Sequence, residues 1–263
     1  MAPKNKRRKC PVEKDYEFTL YLAGIAPDPV FEGFDWKQLP ASMLVTYAYP
    51  DWIDKLLGTF RFAGQRLFLD SGAFTAYTQG IDITLDGYID WLYNGPYSIR
   101  QWDVITALDV IGNGPASYEN AAEMQRQGIN TLPVFHCGED WKLLHRYCDE
   151  FEVVGLAATS GRTFKEKKWF MAKCFEECWP HKFHSFGWAA EDLLRKYPFY
   201  SADSSAYLTG GIRWGQWKAL PGMREDFKAR KGGAYDAVKL EIAHALRTEK
   251  EIGLQWQNEL QKL

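Results

Sequence analysis

The chain has 263 residues and a formal net charge of −2, and 16% of its residues are aromatic. So many large apolar side chains exclude a disordered protein, and the length is sufficient for one large domain or two. The near-neutral charge excludes a global attraction to nucleic acid, so such binding would need a local basic patch. No apolar run reaches about 18 residues, so we expect no membrane span and no membrane partner.

The N-terminal stretch, MAPKNKRRKC, is basic and has no apolar segment behind it. This pattern predicts a disordered basic arm over residues 1–14 rather than a secretory signal, and the charges of Lys4–Lys9 would add non-specific affinity for nucleic acid. The chain has five cysteines without a disulfide-like framework. That number and arrangement favour the reducing cytoplasm, which would be the host cytoplasm for a phage-encoded protein.

Short apolar runs alternate with amphipathic segments along residues 15–220. Eight runs are typical of buried strands: Glu17–Ile25, Met43–Tyr49, Leu67–Asp70, Asp103–Asp109, Thr131–His136, Glu152–Ala157, His181–Gly187 and Pro198–Asp203. Four intervening segments are typical of helices: Leu85–Tyr93, Pro115–Gly128, Trp141–Glu150 and Phe164–Trp179. The alternation predicts an α/β protein with a (β/α)₈ TIM-like barrel over residues 15–220, and a doubly wound sheet is the alternative. Residues 221–263 are charged and helical in pattern, which predicts a helical extension packed on the barrel.

Four predicted strands end on polar side chains. The third ends at Asp70, the fourth at Asp109, the fifth at His136 and the eighth at Asp203. Each acid could instead cap a turn, and the histidine could be a satisfied core residue. Because active sites of such barrels lie at the carboxyl ends of the strands, four converging polar ends favour a functional site.

The motifs limit the chemistry of that site. The sequence has no glycine-rich phosphate loop, so no nucleotide cofactor is indicated, and we assign no cofactor at all. No serine or cysteine lies in a GxSxG-like elbow, which weakens acyl transfer. Several aspartates suit chemistry at the anomeric carbon of a sugar, where one carboxylate attacks and another moves a proton.

One cluster of metal-ligand residue types lies outside these strand ends, in CFEECWPHKFH. Cys174 and Cys178 fall on a predicted helix, whereas His181 and His184 fall on opposite faces of a predicted strand. We therefore favour ordinary packing over a zinc site and assign no metal.

The segment DSGAF at residues 70–74 resembles the DSGGF-type motif of the tRNA-guanine transglycosylases. Further segments match that family in chain order: PVFHCGE at 133–139, VGLAA at 154–158 and SADSS at 201–205. With ALDVIGN at 107–113 and HSFGWA at 184–189, the sequence looks closer still to the phage and bacterial branch that inserts deazaguanines into DNA, the deoxypurine-in-DNA protein A family. The resemblance covers about residues 17–215.

The resemblance implies exchange of guanine in DNA for a free 7-deazaguanine base, such as 7-cyano-7-deazaguanine. Asp203 would attack C1′ and form a covalent glycosyl-enzyme, and Asp70 would take the N9 proton of the incoming base. Asp109 would accept hydrogen bonds from the N1–H and amino group of the base. DNA and the free base are the implied partners, and the target guanine must leave its helix. An accessory protein is a further partner that the sequence leaves open.

The resemblance also implies a second set of base contacts. His136 and the backbone of Gly155, Leu156 and Ala157 would bond to O6 or to the 7-substituent, and Phe74 and Phe186 would stack on the ring. Each aromatic could instead be a core residue. The turn residues that complete this set are Ser71, Gly72 and Gly187.

The sequence departs from the tRNA enzymes in two respects. It lacks their CxCxxC zinc motif, and it has His136 where that family has a glutamine-like position. These departures favour DNA over tRNA as the substrate. Exchange on tRNA, a glycosidase and a non-catalytic barrel that binds a modified base or DNA remain alternatives.

A basic segment with interleaved tryptophans follows Asp203 and is a candidate for contact with phosphates and unstacked bases. A solvated helix face would show the same composition. The six cations of this segment are Arg213, Lys218, Arg224, Lys228, Arg230 and Lys231.

Overall fold

The structure, a computed structural model, describes residues 16–24, 40–59, 66–158, 161–207 and 233–262. Within these residues, nine parallel strands form one sheet: β1 (Thr19–Ala23), β2 (Met43–Thr46), β3 (Leu67–Asp70), β4 (Val104–Thr106), β5 (Thr131–Leu132), β6 (Val134–His136), β7 (Val153–Ala157), β8 (Lys182–Phe186) and β9 (Ser201–Ser204). Their order in the sheet is β5-β4-β3-β2-β1-β9-β8-β7-β6.

Strands β5 and β6 are two halves of one strand divided at Pro133. Proline has no N–H to donate to a ladder, which interrupts the pairing there. The Pro133 carbonyl still accepts a bond of 2.9 Å from the Gly155 N–H on β7. Because β5 pairs with β4 on one side and β6 pairs with β7 on the other, this strand joins the two ends of the sheet. The sheet is thus a barrel of eight strand positions.

Eight α-helices accompany the strands in the described residues: α1 (Pro50–Thr59), α2 (Ala73–Gln79), α3 (Leu85–Asn94), α4 (Gly114–Arg126), α5 (Trp141–Glu150), α6 (Phe164–Cys178), α7 (Glu191–Leu194) and α8 (Gly233–Leu260). Local sequence sets several boundaries. The Asn113 side chain and a following proline begin α4, and α6 begins with a reciprocal capping box between Thr163 and Glu166. No described helix is long and apolar enough to cross a membrane.

The core has two parts, because successive strand residues point to opposite faces of the sheet. The larger part lies between the sheet and the helices and includes Ala202 of β9 and Phe183 of β8. The smaller part fills the barrel interior around Tyr21, Phe68 and the two halves of the divided strand. The inner face of the barrel therefore carries residues 201 and 203 of β9 and residues 184 and 186 of β8.

The predicted (β/α)₈ class is confirmed, since each of the eight predicted runs contains an observed strand. Strand β3 has the predicted bounds, the fifth predicted strand is divided into β5 and β6, and the others are shorter than predicted. The fourth strand ends at Thr106, so Asp109 lies in the loop beyond it. Helix α5 has the predicted bounds, whereas α2 and α7, with 7 and 4 residues, are too short to show a periodicity in the sequence.

The predicted helical end is also observed, as the 28-residue helix α8. It lies on the barrel through polar contacts as well as apolar ones. The Leu20 N–H donates to Glu249 at 3.1 Å, and the Trp256 Nε1–H donates to the Leu194 carbonyl at 2.8 Å. The division at residue 220 stays a prediction, and the proposed arm over residues 1–14 lies outside the described residues.

Candidate active site

A cavity of about 670 Å³ opens at the carboxyl ends of the strands. Three carboxylates from three parts of the barrel line it: Asp70 at the end of β3, Asp109 after β4 and Asp203 on β9. Eight of the other residues that line it bear on its chemistry: Ser71, Phe74, Tyr77, His136, Glu139, Ala157, Arg162 and Phe186. The volume is within the range of sites for small molecules.

Asp70 stabilises a turn, and its carboxyl group also has a raised pKa. Its Oδ2 accepts the Gly72 N–H at 3.1 Å, which fixes the turn into α2. Burial raises the pKa of Asp70 to about 6; the bonds from Gly72 and from the Thr46 hydroxyl offset part of this rise, and the nearby charges of Asp203 and Asp109 add to it. A carboxyl group with a pKa near 6 can both give and accept a proton near neutral pH.

Gly72 is required by the geometry of that turn. Its φ is +76°, and a Cβ at this position would lie 2.7 Å from the Cβ and backbone N of Ala48. Only glycine accommodates both the left-handed backbone and the close approach to the loop after β2. Ser71, beside it, is buried and lines the cavity.

Asp109 and His136 form a pair at the cavity wall, with 2.9 Å between Asp109 Oδ2 and His136 Nε2. Burial raises the pKa of Asp109, and the histidine partly offsets that rise. The pKa of His136 is also raised, because the bond and charge of Asp109 outweigh the lowering that burial alone would cause. Asp109 Oδ1 is buried and has no hydrogen-bond partner among the described residues. A buried carboxylate oxygen without a partner is costly, so it is suited to a donor on a ligand.

Asp203 projects into the cavity from the inner face of β9, and its side chain is 9% exposed. Its Oδ1 accepts the Gly187 N–H at 2.7 Å. Gly187 follows β8 directly and has a φ of +62°, a conformation that favours glycine. The sharp turn after β8 therefore aims a backbone donor at the carboxylate of the neighbouring strand.

The two predicted stacking residues occupy different environments. Phe74, in the first turn of α2, is 56% exposed at the mouth of the cavity. Phe186 lies deeper, at the end of β8, and contacts Phe68 edge to face with 5.7 Å between ring centroids. Both rings line the cavity, and whether a base lies between them stays a prediction.

The predicted backbone contacts of β7 differ from the observed geometry at two of three positions. The Gly155 N–H is already bonded to the Pro133 carbonyl, so it is not available to a base. A Cβ on Gly155 would lie 2.4 Å from the Phe186 ring, so this glycine makes room for the aromatic side chain instead. Leu156 lies in the ladder between β6 and β8 and its side chain packs outward in the core. Ala157 alone of the three lines the cavity.

Among the cavity-lining residues that were absent from the predicted site, three have charged or phenolic side chains: Glu139, Arg162 and Tyr77. Glu139 accepts the His136 N–H at 2.8 Å, and Arg162 donates to the Cys137 carbonyl at 3.0 Å. Burial raises the pKa of Glu139. Tyr77 lies one turn after Phe74 on α2 and is 69% exposed. The sequence did not predict helix α2. The spacing between Phe74 and Tyr77 therefore gave no indication that both residues lie on one helix face.

The four metal-ligand types at 174–184 do not form one cluster. His184 is fully buried inside the barrel, whereas Cys174 packs in the core outside the sheet. The described residues contain no group of three or more His, Cys, Asp or Glu side chains that could bind a metal ion. The six predicted nucleic-acid-binding cations, at positions 213–231, lie outside the described residues, so that surface stays a prediction.

Comparisons with known proteins bear on the fold alone. No family model and no curated protein matches the chain. One similar solved structure, from a structural study of an Aquifex aeolicus VF5 protein, has 11% identity, covers 92% of this chain and 94% of that chain, and has a TM-score of 0.50. A mutant tryptophan synthase alpha-subunit from Pyrococcus furiosus has 15% identity, covers 88% and 98% of the two chains, and has a TM-score of 0.49. The closed order of its strands makes the chain a TIM-like α/β barrel, with an acidic cavity at its strand ends.

Proposed function

We propose that this protein is an enzyme, a glycosyltransferase that exchanges guanine in DNA for a 7-deazaguanine base through a covalent glycosyl-enzyme. One observation carries the proposal: Asp70, Asp109 and Asp203 line a single cavity together with two aromatic rings, in the chain order that the transglycosylase resemblance implies. A barrel of this class uses the same end of its strands for chemistry.

In the first half-reaction, a carboxylate oxygen of Asp203 bonds to C1′ of the target nucleotide as the C1′–N9 bond to guanine breaks. The protonated form of Asp70 gives its proton to the departing base. In the second half-reaction, Asp70 takes the N9 proton of the incoming 7-deazaguanine, N9 bonds to C1′, and the ester bond to Asp203 breaks. Two inversions give net retention, and the atoms balance without a cofactor.

The environments of Asp70 and Asp109 support their roles. Asp70 needs to be protonated in one step and ionised in the other, and its pKa of about 6 allows both. The unpartnered Oδ1 of Asp109 can accept the N1–H or amino group of a guanine-like base. Phe74 and Phe186 offer π-faces for the ring of the base.

The free thiols of the four described cysteines fit the proposed cytoplasmic location.

The decisive experiment is nucleoside mass spectrometry after incubation of the protein with guanine-containing DNA and 7-cyano-7-deazaguanine. Parallel reactions contain single-stranded DNA, tRNA, the Asp203→Ala variant and the control Asp86→Ala, which alters an exposed acid on α3. We expect the deazaguanine deoxynucleoside with the wild type and the control, and none with Asp203→Ala.

Three other results would redirect the assignment. Incorporation only into tRNA would make the protein a tRNA-guanine transglycosylase. Loss of guanine without incorporation would indicate a glycosidase, in which water takes the sugar. Binding of the base or DNA by both the wild type and Asp203→Ala, without turnover, would indicate a binding protein.

A further inference from the structure

His184 is a buried polar residue that the proposed reaction leaves without a role. It lies on the inner face of β8 and is completely inaccessible to solvent. Aromatic rings surround it, with centroid distances of 4.5 Å to Phe186, 4.7 Å to Phe68 and 6.3 Å to Tyr21. An imidazole in such an apolar interior is costly unless both of its nitrogens have hydrogen-bond partners.

Both nitrogens have partners on the adjacent strand β9. His184 Nδ1 lies 2.8 Å from Ser201 Oγ, and His184 Nε2 lies 3.4 Å from Asp203 Oδ1. The register of the two strands explains the arrangement, because His184 pairs with Ser201 and the side chains of residues 201 and 203 point to the same face. Ser201, His184 and Asp203 therefore form a continuous chain of polar groups that ends at the cavity.

The partners fix the tautomer of the imidazole. An ionised Asp203 only accepts hydrogen bonds, so the proton must be on His184 Nε2. A neutral ring then has Nδ1 as an acceptor, and the Ser201 hydroxyl donates to it. This assignment comes from the hydrogen-bond network, as tautomers generally do.

The same contacts distinguish the two oxygens of Asp203. Oδ1 accepts both the Gly187 N–H and the His184 Nε2–H. Two donors on one oxygen hold the carboxylate in a fixed orientation and leave Oδ2 to form the bond to C1′. When the ester later breaks, the same donors stabilise the returning negative charge.

We infer that His184 is a positioning residue, which orients Asp203 through the Nε2–H bond while Ser201 holds the imidazole in the required tautomer. This inference rests on the proposed base exchange. His184 is fully buried and does not line the cavity, so it acts only through Asp203. A displacement of about 1 Å in an attacking group costs on the order of 10²-fold in rate, which sets the expected effect.

The kinetic test compares His184→Leu, which removes both ring nitrogens, with His184→Gln, whose amide keeps an N–H donor near the position of Nε2. The exchange of labelled guanine into DNA gives kcat and the KM for the base. We expect His184→Leu to lower kcat about 100-fold with little change in KM, and His184→Gln to recover most of the loss. Ser201→Ala should cause a smaller loss in kcat.

A matched control measures the effect of disturbing the barrel interior without altering Asp203. Thr131→Val removes a buried hydroxyl that donates to the Ile105 carbonyl at 3.0 Å, in a different part of the barrel. We expect it to lower the melting temperature and leave kcat unchanged. Equal losses of kcat in His184→Leu, His184→Gln and Thr131→Val would overturn the positioning role, and so would full activity of His184→Leu.

A readout independent of turnover separates this inference from the proposed function. Histidine-selective ¹⁵N NMR of the full chain, with His184→Gln for assignment, reports the tautomer directly. We expect an Nε2–H imidazole whose resonances shift in Asp203→Asn. An Nδ1–H tautomer, or resonances that do not shift in Asp203→Asn, would refute the hydrogen bond between His184 Nε2 and Asp203. If wild-type protein exchanges no base, the proposed function fails and this spectrum alone decides whether His184 holds Asp203.

Discussion

Asp70 shows how one side chain serves both the fold and the chemistry. Its carboxylate fixes the turn through Gly72, and burial raises its pKa from the ordinary 3.8 to about 6. The folded protein therefore binds this proton more tightly than the unfolded chain does. By linkage, the contribution of Asp70 to the free energy of unfolding should fall as the pH rises from about 4 to about 6, by up to about 3 kcal/mol. Urea unfolding across this range should show a shallower fall for Asp70→Asn, and equal slopes would contradict the raised pKa.

Asp109 is the residue we expect to dominate affinity for the free base. An isosteric Asp109→Asn change keeps the shape of the cavity but removes the charge that a base N1–H or amino group would meet. A hydrogen bond to a charged group contributes about 1.5–3 kcal/mol, so the Kd should rise about 10- to 100-fold. Isothermal titration with a 7-deazaguanine base measures this change. Asp86→Asn, at an exposed position of α3, is the control, and an unchanged Kd in Asp109→Asn would remove Asp109 from the base site.

At the scale of an element, the first turn of α2 requires a glycine at position 72 for two reasons, a left-handed backbone and a close approach to Ala48. Gly72 and Gly80 flank the same helix with φ of +76° and +68°, but a Cβ added at Gly72 would meet Ala48, whereas one added at Gly80 would meet nothing within 4 Å. Gly80→Ala should therefore cost about 1 kcal/mol of unfolding free energy, from backbone strain alone. Gly72→Ala should cost at least about 3 kcal/mol, because strain and the contact with Ala48 add.

Chemical denaturation of the two alanine variants measures the difference directly. Gly72→Ala should also raise the KM for the base, because it displaces Ser71 and Phe74 at the cavity wall. Gly80→Ala should leave the KM unchanged. Equal stability losses in the two variants would show that the close approach to Ala48 contributes nothing.

At the scale of the whole molecule, α8 joins the barrel rather than forming a separate unit. Trp256 is buried in the main core and donates to the Leu194 carbonyl, and the Gln257 side chain donates to the Tyr16 carbonyl at 2.8 Å. These contacts connect a helix near the end of the chain with its first described residues. We therefore expect α8 and the barrel to unfold in one cooperative transition.

Trp256→Ala tests this cooperativity. Truncation of a buried tryptophan typically costs about 3–5 kcal/mol, and the cost should appear as a lower midpoint of the single transition. Leu254→Ala is the control on the same helix, because Leu254 is 50% exposed and its loss should change stability by less than about 0.5 kcal/mol. Separate transitions for helical circular dichroism and tryptophan fluorescence in Trp256→Ala would show that α8 is an independent unit.

The sequence by itself determined the number and order of the strands and the identity of the three acids. A buried strand is a short apolar run, and a carboxylate where the run stops is visible without any coordinates. The sequence also placed α5 at its observed bounds, since helical periodicity is a local property. It failed for α2, which is too short for a period, and for the length of the fourth strand, whose last predicted residues lie in a loop.

Only the tertiary structure decided which of these groups meet. Pairing of neighbouring strands brings His136 to Asp109 and His184 to Asp203, pairs separated by 27 and 19 positions in the sequence. The structure also showed that the Gly155 N–H donates to a carbonyl within the sheet and that this glycine makes room for Phe186. Such contacts depend on strand register and on the space between neighbouring strands. Periodicity and motif spacing describe only one segment at a time, so they do not contain this information.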